Sequence, residues 1–124
     1  MITLEHVTKT YAKNNTKAVD DLTLTVNGGE LFGFIGPNGA GKTTTIKLMT
    51  GILTPDEGTV TMAGHRMDLE RLEAQRLIGF VPDGNDLYDR LTGMEYLNFM
   101  ADGYQVSAAP RKAQIEKYLE HFSF

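Results

Sequence analysis

The clearest chemistry in the sequence lies in Gly36-Pro37-Asn38-Gly39-Ala40-Gly41-Lys42-Thr43, which has the spacing G-x-x-x-x-G-K-T. A phosphate chain carries several negative charges and has to be held without being attacked. Glycines let a backbone curl until successive N–H groups point inward. A helix that follows adds its unpaired N–H donors and the positive end of its dipole. In this pattern Lys42 is a point charge for the β- and γ-phosphates, and the Thr43 hydroxyl is a ligand for Mg²⁺. The residues imply a nucleotide-phosphate site.

Such a loop works only between elements that hold it. The apolar run at residues 31–35 (Leu-Phe-Gly-Phe-Ile) predicts a buried strand leading in, and residues 42–49 a helix leading out, with Gly51 as its stop. Upstream, Ile2, Leu4 and Val7 suggest a first strand with partial alternation. Leu22, Leu24 and Val26 alternate strictly in a second, and Asn27-Gly28-Gly29 predicts a hairpin that folds this strand back onto residues 31–35. Downstream, residues 59–62 and 78–81 read as short strands and residues 68–76 as helical. Thr92-Gly93-Met94-Glu95 is a capping box that opens another helix. A last helix spans about residues 110–122, with Ile115, Tyr118, Leu119 and Phe122 on one stripe. Strands mix with helices throughout, so the expected class is α/β.

Composition narrows the function classes. The 124 residues make at most one domain, and 41% hydrophobic with 23% charged residues is ordinary for a soluble globular chain. A net charge of −4 without a Lys/Arg cluster argues against nucleic-acid binding. No cysteine is present, which excludes disulfides and Cys-based zinc sites. The three histidines, His6, His65 and His121, lack partners at ligand spacing, and the six methionines are scattered as core filler. No stretch is long and apolar enough to span a bilayer, so any membrane association is expected through a partner.

Several segments together resemble one family, the ATP-binding subunits of ABC transporters, over essentially the whole chain. Residues 17–22 (Lys-Ala-Val-Asp-Asp-Leu) look like that family's lead-in strand. Residues 36–44 match its Walker A loop at every position, Pro-Asn-Gly-Ala included, and residues 48–58 resemble the segment that follows. The resemblance implies a P-loop NTPase fold of the ABC ATPase type, with an antiparallel β lead-in and the start of a helical subdomain. The division expected is residues 1–85 for the nucleotide-binding core and 86–124 for the Q-loop and the first part of that subdomain. It implies ATP and Mg²⁺ as ligands. Tyr11 would stack on the adenine, and Val19, Asn38, Gly39, Ala40, Gly41, Lys42, Thr43 and Thr44 would contact the nucleotide.

One position departs from the pattern. Asp83 stands where the family's Q-loop usually has Gln; some export-type subunits carry an acidic residue there, and a carboxylate can still hold Mg²⁺ beside Thr43. The partners implied are a second nucleotide-binding subunit, paired head to tail, and a transmembrane permease. The permease would be contacted through the stretch 87–91, with Leu87, Tyr88 and Leu91 as the apolar residues. The location implied is cytoplasmic, peripheral on the inner face of the membrane.

The family's signature motif, Walker B carboxylates and switch histidine have no match here, since the only Gly-Gly pair is Gly28-Gly29 and neither Ser107 nor Ser123 precedes one. The chain is therefore expected to be an N-terminal portion of such a subunit with an incomplete core sheet. It lacks the general base for water and is not expected to hydrolyse ATP alone. The alternative is a short, non-hydrolysing nucleotide-binding or regulatory module. A GTPase would show D-x-x-G and N-K-x-D, and neither occurs.

Overall fold

The structure is a computed structural model that describes residues 1–12, 16–82, 84, 88 and 90–122. It comprises two compact units, Met1–Phe80 and Val81–Phe124.

The first unit is built on a four-stranded antiparallel sheet of order β2-β1-β3-β4. Its strands are β1 (Ile2–Tyr11), β2 (Thr16–Val26), β3 (Glu57–Met62) and β4 (His65–Arg66). β1 is central, pairing Leu4 with Leu24 of β2 and with Val60 of β3. In a regular strand Leu4 and Val7 would face opposite sides. Here both are fully buried in one core cluster because the ladder is shifted between them, with His6 at φ 52 and Asp21 opposite at φ 47. The bulge spoils local pairing, and side chains take over the freed donors. The His6 N–H donates to Thr23 Oγ1 (3.1 Å) and the Asp21 N–H to Thr8 Oγ1 (3.0 Å).

Helix α1 (Lys42–Met49) packs on this sheet through Thr44, Thr45 and Leu48. Gly51 ends it as expected, at φ 70, with its N–H on the Leu48 carbonyl. A Cβ there would meet the Met67 sulfur at 2.5 Å, and the left-handed φ itself favours glycine. Helix α2 (Arg71–Arg76) then serves the orphaned carbonyls at the end of α1: Arg71 donates to Gly51 O (2.6 Å) and Gln75 to Thr50 O (3.1 Å).

Two sequence expectations are corrected. Residues 31–35 form no strand; Leu31 and Ile35 are 101% and 95% exposed, and β2 pairs with β1 instead of folding back onto them. The Asn27 turn does form, with the Glu30 N–H on Asn27 O. Residues 78–81 are likewise outside any strand. Apolar content makes a segment suitable for a sheet, but a strand needs a neighbouring backbone to pair with. Neither run enters the ladders of the four-stranded sheet among the described residues.

In the second unit, α3 (Gly93–Gly103) starts at the predicted capping box: the Glu95 N–H donates to Thr92 Oγ1 (3.3 Å) and the Thr92 N–H to Glu95 Oε2 (2.8 Å). Helix α4 (Ala108–Phe122) is fastened to α3 by Arg111, which donates to Asn98 Oδ1, Asp102 Oδ1 and the Val106 carbonyl. Ile115 and Leu119 of the predicted stripe are half-buried, whereas Tyr118 and Phe122 are exposed.

Candidate functional site

Residues from three elements of the first unit meet around the glycine loop. Between residues 36 and 41 the chain is exposed except at Gly41 and turns tightly, with the Ala40 N–H on Pro37 O (3.2 Å). Gly39 and Gly41 take φ 82 and 81, the left-handed region that side chains other than glycine enter at a cost. Their surroundings differ. A Cβ on Gly39 would meet nothing, whereas one on Gly41 would lie 2.2 Å from the Ala18 carbonyl oxygen of β2. Gly41 is thus the point at which the loop is pressed onto the sheet, and it is also the N-cap of α1, without a side-chain capping bond. That leaves N–H donors at the start of the helix for an outside acceptor.

Lys42 turns its ammonium back onto the loop and donates to the carbonyls of Gly36 and Pro37. The ammonium is therefore held against the glycine loop. Thr43 is exposed. Thr44 is 9% exposed, and its Oγ1 lies 3.3 Å from the Tyr11 hydroxyl at the end of β1. Thr45, buried behind it, donates its hydroxyl to Gly41 O (2.9 Å) and braces the first turn. Asn38 and Ala40 are exposed on the loop, while Val19 is 7% exposed within the core cluster.

The residues present fit an anion followed by a small hard cation. The left-handed glycines and the uncapped helix start offer backbone N–H donors that an anion could take. The Thr43 hydroxyl is a suitable oxygen ligand for Mg²⁺, which takes one or two protein ligands and completes its shell with phosphate oxygens and water. Among the described residues no group of three or more His, Cys, Asp or Glu gathers into a metal cage. Asp83 and Leu87 lie outside the described residues. Of the other residues expected at a permease contact, Leu91 is 38% exposed, and Tyr88 is 58% exposed with its ring packed edge-on to Phe99 at 5.6 Å.

One positioning contact escaped the sequence reading. Asp56, in the turn before β3, accepts from the Lys9 ammonium and the Thr10 N–H, both at 2.7 Å. The Lys9 hydrogen bond first, and then that of Thr10, holds its carboxyl below the usual carboxylate range. This clamp fixes the end of β1 that carries Tyr11. Asp56 sits in a Pro-Asp-Glu-Gly run that signals a turn, and nothing in that run points to a partner 46 residues away.

Comparison with known proteins gives a consistent result. The family described as "ABC transporter" matches residues 19–124. The linearmycin resistance ATP-binding protein LnrL of Bacillus subtilis (strain 168) is 35% identical over 121 residues, covering 98% of this chain and 38% of that protein. Among solved structures, an ATP-binding subunit of an ABC transporter superposes with a TM-score of 0.89 at 29% identity, covering 99% of this chain and 50% of that one. A dimeric ATP-binding cassette in a post-hydrolysis state, bound to ADP and phosphate, superposes with a TM-score of 0.81 at 27% identity, covering 97% and 56%. The chain thus spans about half or less of the length of these proteins.

Proposed function

The chain belongs to the ABC transporter family, as part of an ATP-binding subunit, and from that membership we propose that its glycine loop binds MgATP to power a membrane partner. The observation that supports the proposal is that Tyr11 reaches Thr44 in the first turn of α1, next to the left-handed Gly41 and to Lys42, whose ammonium turns onto the loop. Asn38, Gly39, Ala40 and Gly41 cradle the phosphates, Lys42 neutralises the β- and γ-groups, and Tyr11, with Val19, receives the adenine. Mg²⁺ is held by Thr43, with Asp83 as its second protein ligand. Bound Mg²⁺ would neutralise phosphate charge. These residues bind and orient; the proposal assigns no general base for water among them.

The nucleotide-binding core takes residues 1–85 and the start of the helical subdomain 86–124, a division supported by the separate compactness of the units on either side of Phe80. The partners are a second nucleotide-binding subunit and a transmembrane permease. The dimeric form of the cassette bound to ADP and phosphate supports the first. Exposed Tyr88 and Leu91, with Leu87, form the permease contact. No helix among the described residues is long and apolar enough to cross a membrane; the location proposed is the inner face of the membrane, through that permease. An export direction is supported by the resistance role in the name of the Bacillus relative.

The direct test is MgATP affinity with Lys42→Ala. Loss of a charge-assisted contact should weaken binding by ~1.5–3 kcal/mol, about 10- to 150-fold. Equal affinities would remove the phosphate-binding role.

A further inference from the structure

Stacking needs only a ring, and a phenylalanine would offer the same face to a base. The residue at the end of β1 nevertheless has a hydroxyl, and that hydroxyl is used. Tyr11 Oη lies 3.3 Å from Thr44 Oγ1 across 33 residues of sequence, joining the end of β1 to the first turn of α1. The bond is partly buried, so it is shielded from competing water. Thr44 belongs to the first turn of α1 and is one of its buried residues, with Thr45 and Leu48. The Tyr11 backbone is held as well: it pairs with Thr16 of β2, and the neighbouring Lys9 and Thr10 are clamped by Asp56. With its backbone paired at one end and its hydroxyl in contact at the other, the ring has fewer rotamers open to it than one without the hydroxyl contact. A platform ordered before the ligand arrives spares the binding step that entropy.

We propose that the Tyr11 hydroxyl, through its bond to Thr44, is a positioning group that fixes the base platform at a set distance from the phosphate loop. The inference rests on the reading of Tyr11 as the surface that receives the base. Its consequence is selective. Removing the hydroxyl affects ligands that carry a base and leaves recognition of the phosphate chain as it was.

The test uses the complete polypeptide and two probes, MgATP and magnesium tripolyphosphate, with affinities from calorimetry and thermal midpoints as a control. Tyr11→Phe keeps the ring and removes the bond. It is expected to weaken MgATP about two- to tenfold, the range of one ordinary hydrogen bond, with tripolyphosphate affinity and midpoint unchanged. Thr44→Val removes the same bond from the other end, and Tyr11→Phe added to it should cause no further loss of MgATP affinity. Tyr11→Ala separates the inference from the reading beneath it, with a loss of about 5- to 150-fold expected if the ring stacks on the base. If Tyr11→Ala weakens MgATP while Tyr11→Phe matches the parent, the hydroxyl has no positioning role and the inference fails while stacking stands. If Tyr11→Ala also matches the parent, both fail. A Tyr11→Phe variant that binds MgATP more tightly would show that the bond competes with the nucleotide, and equal weakening of both probes would show that the hydroxyl shapes the loop; either result overturns the inference.

Discussion

Gly41→Ala and Gly39→Ala make a matched pair, because the two glycines share a left-handed φ of 81–82° and differ only in what surrounds them. Alanine in that conformation costs ~1–2 kcal/mol. At Gly39 a methyl group meets nothing within 4 Å, and the exposed loop can relax in the free protein. The strain is then felt only when the loop must curl around a phosphate. Gly39→Ala should weaken MgATP by ~1–2 kcal/mol, about 5- to 30-fold, with an unchanged thermal midpoint. At Gly41 the methyl group would sit 2.2 Å from a backbone oxygen, and real Cβ atoms essentially never come within 3.0 Å of another heavy atom. Helix α1 and β2 have to separate, which loosens Thr44, Thr45 and Leu48 behind the loop. Overpacking of that kind costs ~1–3 kcal/mol, and with the conformational strain the total is ~2–5 kcal/mol of folding stability. For a unit of this size the midpoint should fall by at least about 8 °C, and MgATP binding should fall with it. The assays are differential scanning calorimetry and nucleotide titration on the same preparations. Equal midpoints for the two variants would refute the claim that Gly41 is where the loop bears on the sheet.

Other consequences follow from the core and the helix ends. Leu48→Ala empties a fully buried position at the centre of the core and should destabilise the Met1–Phe80 unit by ~2–5 kcal/mol, read from denaturant unfolding. Thr92→Ala removes half of the capping box and should cost α3 about 1 kcal/mol, seen as lost helicity by circular dichroism. Glu95 supplies a pH signature. Its carboxyl is held below the ordinary carboxylate value by the Thr92 N–H first and then the Thr92 hydroxyl. Its contribution is therefore complete above the unfolded-state value and disappears as pH falls through the lower folded one. An acid titration should show α3 losing order in that window, and Glu95→Gln should flatten that step. A step of the same size in Glu95→Gln would assign it to another group.

How much was legible from residues alone depended on whether a feature is local. The glycine loop, the Gly51 stop, the Thr92–Glu95 capping box and α4 all rest on contacts within a few residues, where backbone geometry and residue type leave few alternatives. The loop's residue pattern was open to reading for the same reason: G-x-x-x-x-G-K-T sets glycines, charge and hydroxyl within a few residues of one another. Three features depended on partners distant in sequence. Alternation marked residues 22–26 as a strand, but a strand pattern does not name its neighbour, and the choice of β1 over residues 31–35 was made by the sheet. The burial of Leu4 and Val7 on one side needed a bulge at His6, which no period-2 reading contains. The meeting of Tyr11 with Thr44, and of Asp56 with the strand that carries Tyr11, came only from tertiary structure. The sequence by itself determined the glycine, lysine and hydroxyl pattern of the loop; the sheet decided which side chains stand around it, because pairing and packing are set by partners that local residue pattern does not encode.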